Sequence, residues 1–144
     1  MGEGKTGGLV RVSSTGKGKF QHRIHAGAHE ITADEPLSMG GNDTGLAPYD
    51  LLRAALGVCK AMTLRMYADH KNWPLEGVDI YLSHETGKDG DGNKTDRFSC
   101  DITLRGDELT EEQRGRLIEI ADKCPVHKTL TVGSVTIESR EAQG

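Results

Sequence analysis

Aromatic residues are scarce in this chain: one Trp, two Phe and three Tyr make up 4% of its 144 residues. Rings carry much of the burial in a self-sufficient core, and 19 glycines thin the apolar content further. With hydrophobic residues at 35%, the missing burial is expected from a subunit interface, which favours an oligomer. Long apolar runs are absent too. No stretch approaches the ~20 apolar residues of a membrane span, and the start, MGEGKTGGLV, lacks the apolar segment of a secretion signal. A cytoplasmic protein without membrane contact is expected. The 18 Lys and Arg are scattered under a net charge of −4, which argues against the clustered basic face of a nucleic-acid binder. Three cysteines are too few for a disulfide scaffold, so in a reducing compartment they are either reactive thiols or small buried apolar groups.

What is present is a regular alternation of strand and helix signals. Residues 1–8 are Gly-rich and polar and are expected to be a flexible start, and no linker divides residues 9–140, so a single domain is expected there. Three short β-like runs, Leu9–Ser13, Phe20–His25 and His29–Asp34, are separated by turns at Gly16, Gly18 and Gly27. A glycine-punctuated loop, residues 35–47, leads into the strongest helix signal. Pro48 suits the first helical turn, and Leu52, Ala55, Cys59, Met62 and Met66 recur at spacings of three and four, with Arg53 and Lys60 on another face. That helix is expected to end near 69–72, before Trp73-Pro74. Val78, Ile80 and Leu82 alternate as a half-buried strand, residues 87–93 form a hairpin loop, and Phe98, Cys100, Ile102 and Leu104 alternate on the return. Thr110 and Gln113 form a capping-box pair that opens a second helix, whose inward face is Leu117, Ile120 and Cys124 and which Pro125 stops. A last strand is expected over Val132–Glu138. The order βββ-α-ββ-α-β gives an α+β fold, two main helices packed on antiparallel sheets.

Two cysteines fall where chemistry is possible. Cys59 lies in mid-helix and Cys124 at the C-terminal end of the second helix, both toward the packing side, so the fold could bring their Cα atoms within the ~4.4–6.8 Å of a disulfide. Periodicity equally allows two small buried side chains, the commonest state of free cysteine. Cys100, alternating with Phe98 and Ile102, reads as core.

The segments Ala47-Pro48-Tyr49-Asp50-Leu51-Leu52 and Ala54-Ala55-Leu56-Gly57-Val58-Cys59 resemble the Pro-acid-Leu…Ala-Ala…Cys helix of the OsmC/Ohr family, the osmotically inducible and organic hydroperoxide resistance proteins. Cys124-Pro125-Val126-His127 resembles that family's second signature, in the branch with a Cys-Pro-Val-His ending. The resemblance spans nearly the whole chain. It implies an intertwined homodimer with two active sites at the interface. No bound cofactor and no metal are expected. It also implies a thiol peroxidase. Cys59 attacks a small-molecule peroxide and becomes a sulfenic acid, Cys124 condenses with it, and an external thiol or dithiol reductant restores both. In the family an arginine held by a carboxylate activates the thiol. This chain departs there, with Tyr49 where the family has glutamate, Asp50 one position later, and no arginine in Ser38-Met39-Gly40-Gly41. Arg23 on the second strand is the best replacement and Arg11 the next, with Asp50 as the orienting acid. The departure favours a weak peroxidase or one with a different substrate. It keeps alive an alternative, a non-catalytic redox-sensing or apolar-ligand-binding module with the same thiol pair.

Other signals are weaker. Asp89-x-Asp91-x-Asn93 opens like a calcium loop, but Lys94 and Cys100 stand where Gly and Glu are needed, so it reads as a solvated hairpin. His22, His25 and His29 do not converge on strands, which argues against a metal site. His127 is either a turn residue or an imidazolium that lowers a thiol pKa. Met62, Met66 and Trp73 read as core before pocket lining, and Asp34-Glu35 and Glu111-Glu112 as surface charge.

Overall fold

Short β-branched runs between glycine turns dictate the first part of the structure, a computed structural model that describes residues 7–142. Strands β1 (Val10–Ser14), β2 (His22–Ala26) and β3 (His29–Ala33) form an antiparallel sheet in that order. Val12 pairs with Ile24 and Ile24 with Ile31. Gly27, at φ 60°, supplies the left-handed geometry of the two-residue turn between Ala26 and His29. The strands lie within two residues of the expected runs. The flexible start expected at residues 1–8 lies, apart from Gly7 and Gly8, outside the described residues.

The chain divides into two units at Leu52–Arg53. The first closes with the glycine-rich loop, and its organiser is Asp34. This side chain, expected on the surface, belongs to a residue only 3% exposed. Its carboxylate accepts the backbone N–H of Glu35 (2.8 Å), Asn42 (3.3 Å) and Thr44 (3.1 Å) and the hydroxyl of Thr44 (2.6 Å). Gly41 is dictated by the same fold: a Cβ there would collide with the carbonyl of Glu35. Leu46 then returns to β3, exchanging backbone hydrogen bonds with Thr32 and Asp34.

Helix α1 (Pro48–Lys71) begins on a proline, with Asp50 in its first turn. The second unit is built on that helix and on a long hairpin, β4 (Gly77–Lys88) and β5 (Lys94–Arg105), paired from Gly77↔Arg105 to Lys88↔Lys94. Asp89 satisfies its own hairpin turn by accepting the N–H groups of Asp91 and Asn93. Helix α2 (Glu111–Ala121) opens on the expected capping box between Thr110 and Gln113. Leu64, Ala68, Leu75, Leu104, Leu109, Leu117, Ile120 and Ala121 form the core. Trp73 packs against it, edge-on to Tyr67 at 5.4 Å. Among the described residues, no helix is long and apolar enough to cross a membrane.

Three expectations change. The buried row of α1 is Leu56, Gly57, Lys60, Leu64 and Ala68, not Leu52, Ala55, Cys59, Met62 and Met66. Met62 and Met66 are 62% and 71% exposed. The helix carries apolar residues on two sides, and Gly57, against Leu82, lies on the side that packs. Next, α2 ends at Ala121 and does not run on to Cys124 and Pro125; Pro125 is the first residue of helix α3 (Pro125–Thr131), where proline's missing N–H has no helical partner to lose. Finally, the strand expected over Val132–Glu138 is not formed. No neighbouring strand pairs with it among the described residues, and an extended segment without a partner edge has no ladder to satisfy its backbone. The order is therefore βββ-α-ββ-αα. The α+β class stands, with three α-helices and two antiparallel sheets among the described residues.

The Thr44 hydroxyl holds the Asp34 carboxyl below its ordinary value against the opposing effect of burial, aided by the N–H groups of Thr44, Glu35 and Asn42. A lowered folded-state pKa stabilises above the unfolded value and is lost as pH falls through the folded one. Asp34→Asn should therefore speed amide exchange at Asn42 and Thr44 at neutral pH by about tenfold or more, as expected when buried donors lose a charged acceptor. Acid below pH ~4 should lower the protection of the same amides in wild type, measured against their intrinsic exchange at each pH, and leave the variant little changed. Exchange followed by NMR checks both.

Candidate active site

The second signature builds the site. A residue before proline is pushed to extended geometry, and Cys124 adopts it, with φ −70° and ψ 145°. α2 has already closed at Ala121, and Cys124 is the N-cap of the next helix, its Sγ accepting the N–H of His127 at 3.4 Å. Cys124 is fully buried, whereas Cys59, from the middle of α1, is half-buried. Burial pushes the Cys124 thiol above its ordinary value. The His127 N–H opposes that shift, a hydrogen bond with the Cys59 thiol adds to it, and the charge of Lys60 opposes it again. The two thiols are neighbours, and both are free.

Lys60 is the residue sequence reasoning placed elsewhere. It is 2% exposed. Its Nζ donates to the carbonyl of Ala121 at 2.9 Å and meets Nδ1 of His127 at 2.9 Å, with Asp122 Oδ1 at 3.5 Å. Ala121 is the last residue of α2, so the ammonium sits at that helix's negative end. The signal was available: Leu56, Lys60, Leu64 and Ala68 form one i,i+4 row, and a lysine inside a buried row needs partners. Cys100, expected as core without a special neighbour, is a third half-buried thiol in this field. Burial pushes it up, Lys60 pulls it down, and Asp122 and Asp101 push it up. A cleft of about 550 Å³, lined by Arg116, Asp122, Lys123, His127 and Lys128 among others, gives this side of the cluster access to solvent.

The structure thus brings Cys59, Cys124 and His127 together, all within residues 53–142. Arg23 and Asp50 belong to the first unit. Arg23, in the middle of β2, donates from Nη1 to Thr32 Oγ1 at 2.6 Å and lies 3.7 Å from Glu30. Asp50 Oδ2 accepts the N–H of Ala47 at 3.0 Å. Among the described residues, no three His, Cys, Asp or Glu side chains form a group that could hold a metal ion.

A family model described as OsmC-like protein matches residues 40–140. No curated protein matches the chain. Among solved structures, the chain is similar to a Psychrobacter arcticus protein named for an osmotic stress and detoxification response, at TM-score 0.68 and 22% identity over 88% of this chain and 89% of that one. It is also similar to an organic hydroperoxide resistance protein OsmC of Legionella pneumophila, at TM-score 0.65 and 16% identity over 88% and 92%. A third is the organic hydroperoxide resistance protein OhrB of Bacillus subtilis, at TM-score 0.59 and 21% identity over 85% and 90%. These likenesses establish the fold.

The different environments of the thiols should separate them chemically. In native, reduced protein at pH 7, iodoacetamide should modify half-buried Cys59 well before fully buried Cys124. Because the Cys124 thiol is pushed up, its thiolate fraction is small at neutral pH and its labelling should climb only at alkaline pH, as peptide mass spectrometry will record.

Proposed function

Because the chain belongs to the OsmC-like family, we propose that it is a thiol peroxidase for organic hydroperoxides, with Cys59 as the attacking and Cys124 as the resolving residue. The observation that carries this reading is that two free thiols, one fully buried and one half-buried, lie close enough for Cys59 to push the Cys124 thiol up. The hydroperoxide resistance names of the Legionella and Bacillus proteins support the substrate class. In the first step the Cys59 thiolate attacks the distal peroxide oxygen. The O–O bond breaks, the alkoxide leaves and takes a proton to become the alcohol, and Cys59 carries a sulfenic acid. The Cys124 thiolate then attacks that sulfur, the S–O bond breaks, and the hydroxide leaves as water after protonation. An external thiol or dithiol supplies two electrons to reopen the disulfide. The resemblance offers Arg23 and Asp50 as the supporting arginine and carboxylate, a pair this reading does not require.

A second reading, redox sensing without rapid turnover, draws on one fact. Burial that raises the Cys124 thiol keeps the resolving thiolate scarce at neutral pH and lengthens the life of the sulfenate. Mixing reduced protein with a slight excess of cumene hydroperoxide and counting free thiols separates the two. Rapid loss of two thiols supports the peroxidase, slow loss the sensor, and none at all would sink both. Cys59→Ser should abolish peroxide consumption with the fold intact. Cys124→Ser should react once and then stall or over-oxidise. A single-turnover rate that followed Cys124 and ignored Cys59 would reverse the two roles.

The family-type intertwined homodimer is part of the proposal. Val58, Met62 and Met66 on α1 are 50%, 62% and 71% exposed, and Val132, Val135 and Ile137 are exposed on a segment that pairs with no strand among the described residues. Such apolar surface is what a subunit interface covers. Sedimentation at micromolar concentration should give about 31 kDa, twice the 15.6 kDa of one chain; a clean monomer would remove the dimer.

A further inference from the structure

A lysine in the middle of a packed helix is uncommon, because an ammonium removed from water needs both hydrogen-bond acceptors and a counter-charge. Lys60 has the acceptors. Two of its three donors are satisfied at 2.9 Å, by the carbonyl of Ala121 and by Nδ1 of His127. Its counter-charge is incomplete. Asp122, the carboxylate paired with it, lies at 3.5 Å on a side chain that is 73% exposed, where water weakens the attraction. The imidazole contributes no negative charge at all. Accepting at Nδ1 requires His127 to be neutral at that nitrogen, since a protonated ring would be a donor facing a donor.

Three thiols share this neighbourhood. Cys59 is the next residue on α1, Cys124 caps α3, and Cys100 is on β5, with Asp101 beside it. The charge of Lys60 reaches both Cys124 and Cys100, favouring the ionised form of each. A thiolate in this cluster would complete the ion pair that Asp122 leaves incomplete.

We propose that Lys60 is the cation that stabilises the thiolate of the Cys59–Cys124 pair, and that His127 and the Ala121 carbonyl position it. The thiol pair is that of the proposed peroxidase, but the role of Lys60 concerns ionisation and can be measured without a peroxide. Lys60 acts across space on the reacting sulfurs, and His127 is a positioning residue that acts through Lys60. The cation thus comes from the residue next to the attacking thiol, on the same helix and in the same unit. Its position depends on the Cys-Pro-Val-His turn that also supplies the second thiol.

A purely structural lysine, tying α1 to the end of α2, would predict the same burial, so the experiment must read ionisation. Reduced full-length protein is alkylated with iodoacetamide from pH 6 to 10, and the rates at Cys59 and Cys124 are followed by peptide mass spectrometry. Circular dichroism melts check the fold of each variant. Lys60→Gln keeps a hydrogen-bond donor and removes the charge. It should slow alkylation of the pair at pH 7 by about tenfold, since each pKa unit removes roughly that much thiolate, and displace the profile toward higher pH. Lys60→Arg, which keeps the charge, should stay within about threefold of wild type, a small part of the tenfold that one pKa unit represents. His127→Phe should fall between. An unmoved profile in folded Lys60→Gln, or an equal loss in Lys60→Gln and Lys60→Arg, would overturn the proposal. Should Lys60→Gln fail to fold, His127→Phe decides: a displaced profile supports the role of Lys60 and an unchanged one removes it. A displaced profile in a protein inert to cumene hydroperoxide still supports Lys60 as the cation while removing the peroxidase.

Discussion

An ammonium group inside the protein joins three helices. Lys60 leaves the middle of α1, reaches the last carbonyl of α2 and meets the imidazole of His127 in the first turn of α3. Desolvating such an ion costs several kcal/mol. Hydrogen bonds to a charged group return roughly 1.5–3 kcal/mol each, so two good acceptors hold the balance near neutral and one would not. The Cys-Pro-Val-His turn provides for this. Its proline forces Cys124 into extended geometry, the new helix starts there, and three residues on His127 comes within reach of the lysine. Burial of Cys124 follows from the same turn, because the residue that caps α3 is fully enclosed.

The two thiols consequently differ in kind as well as position. Cys59 retains access to solvent, which an attacking residue needs to meet a substrate. Cys124 has none, and it is held by the backbone N–H of His127. Desolvation and the fixed charge of Lys60 act on it in opposite directions, and desolvation prevails. In the proposed peroxidase, this exposure suits Cys59 to the first contact with substrate, and the enclosure of Cys124 suits it to an intramolecular partner.

Much of this was legible in the chain. Alternation marked the hairpin strands, the Thr110–Gln113 pair marked the start of α2, and the two cysteine motifs pointed to one site. What failed has a common cause. Periodicity reports that a helix has an apolar side, yet α1 has two, and only contact with the hairpin, through Gly57 and Leu82, chooses between them. Lys60 was placed on a different face from the packing stripe for that reason. Asp34 was misjudged because a carboxylate looks like surface until the folded loop turns four donors onto it. The final strand was expected from alternation alone, and alternation cannot say whether a partner edge exists.

Trp73 is the chain's single tryptophan, and it packs against the core of residues 53–142, edge-on to Tyr67. The intrinsic emission of this protein is thus a local optical probe. It reads the dielectric and rigidity of the helical unit that holds the thiols, and no other indole dilutes it. The sheet of β1–β3 and the loop clamped by Asp34 carry no indole. Tryptophan fluorescence will pass over their melting in silence, while far-UV dichroism sums both units. A gap between the two denaturation curves would then measure the independence of the units, a property that either probe alone conceals.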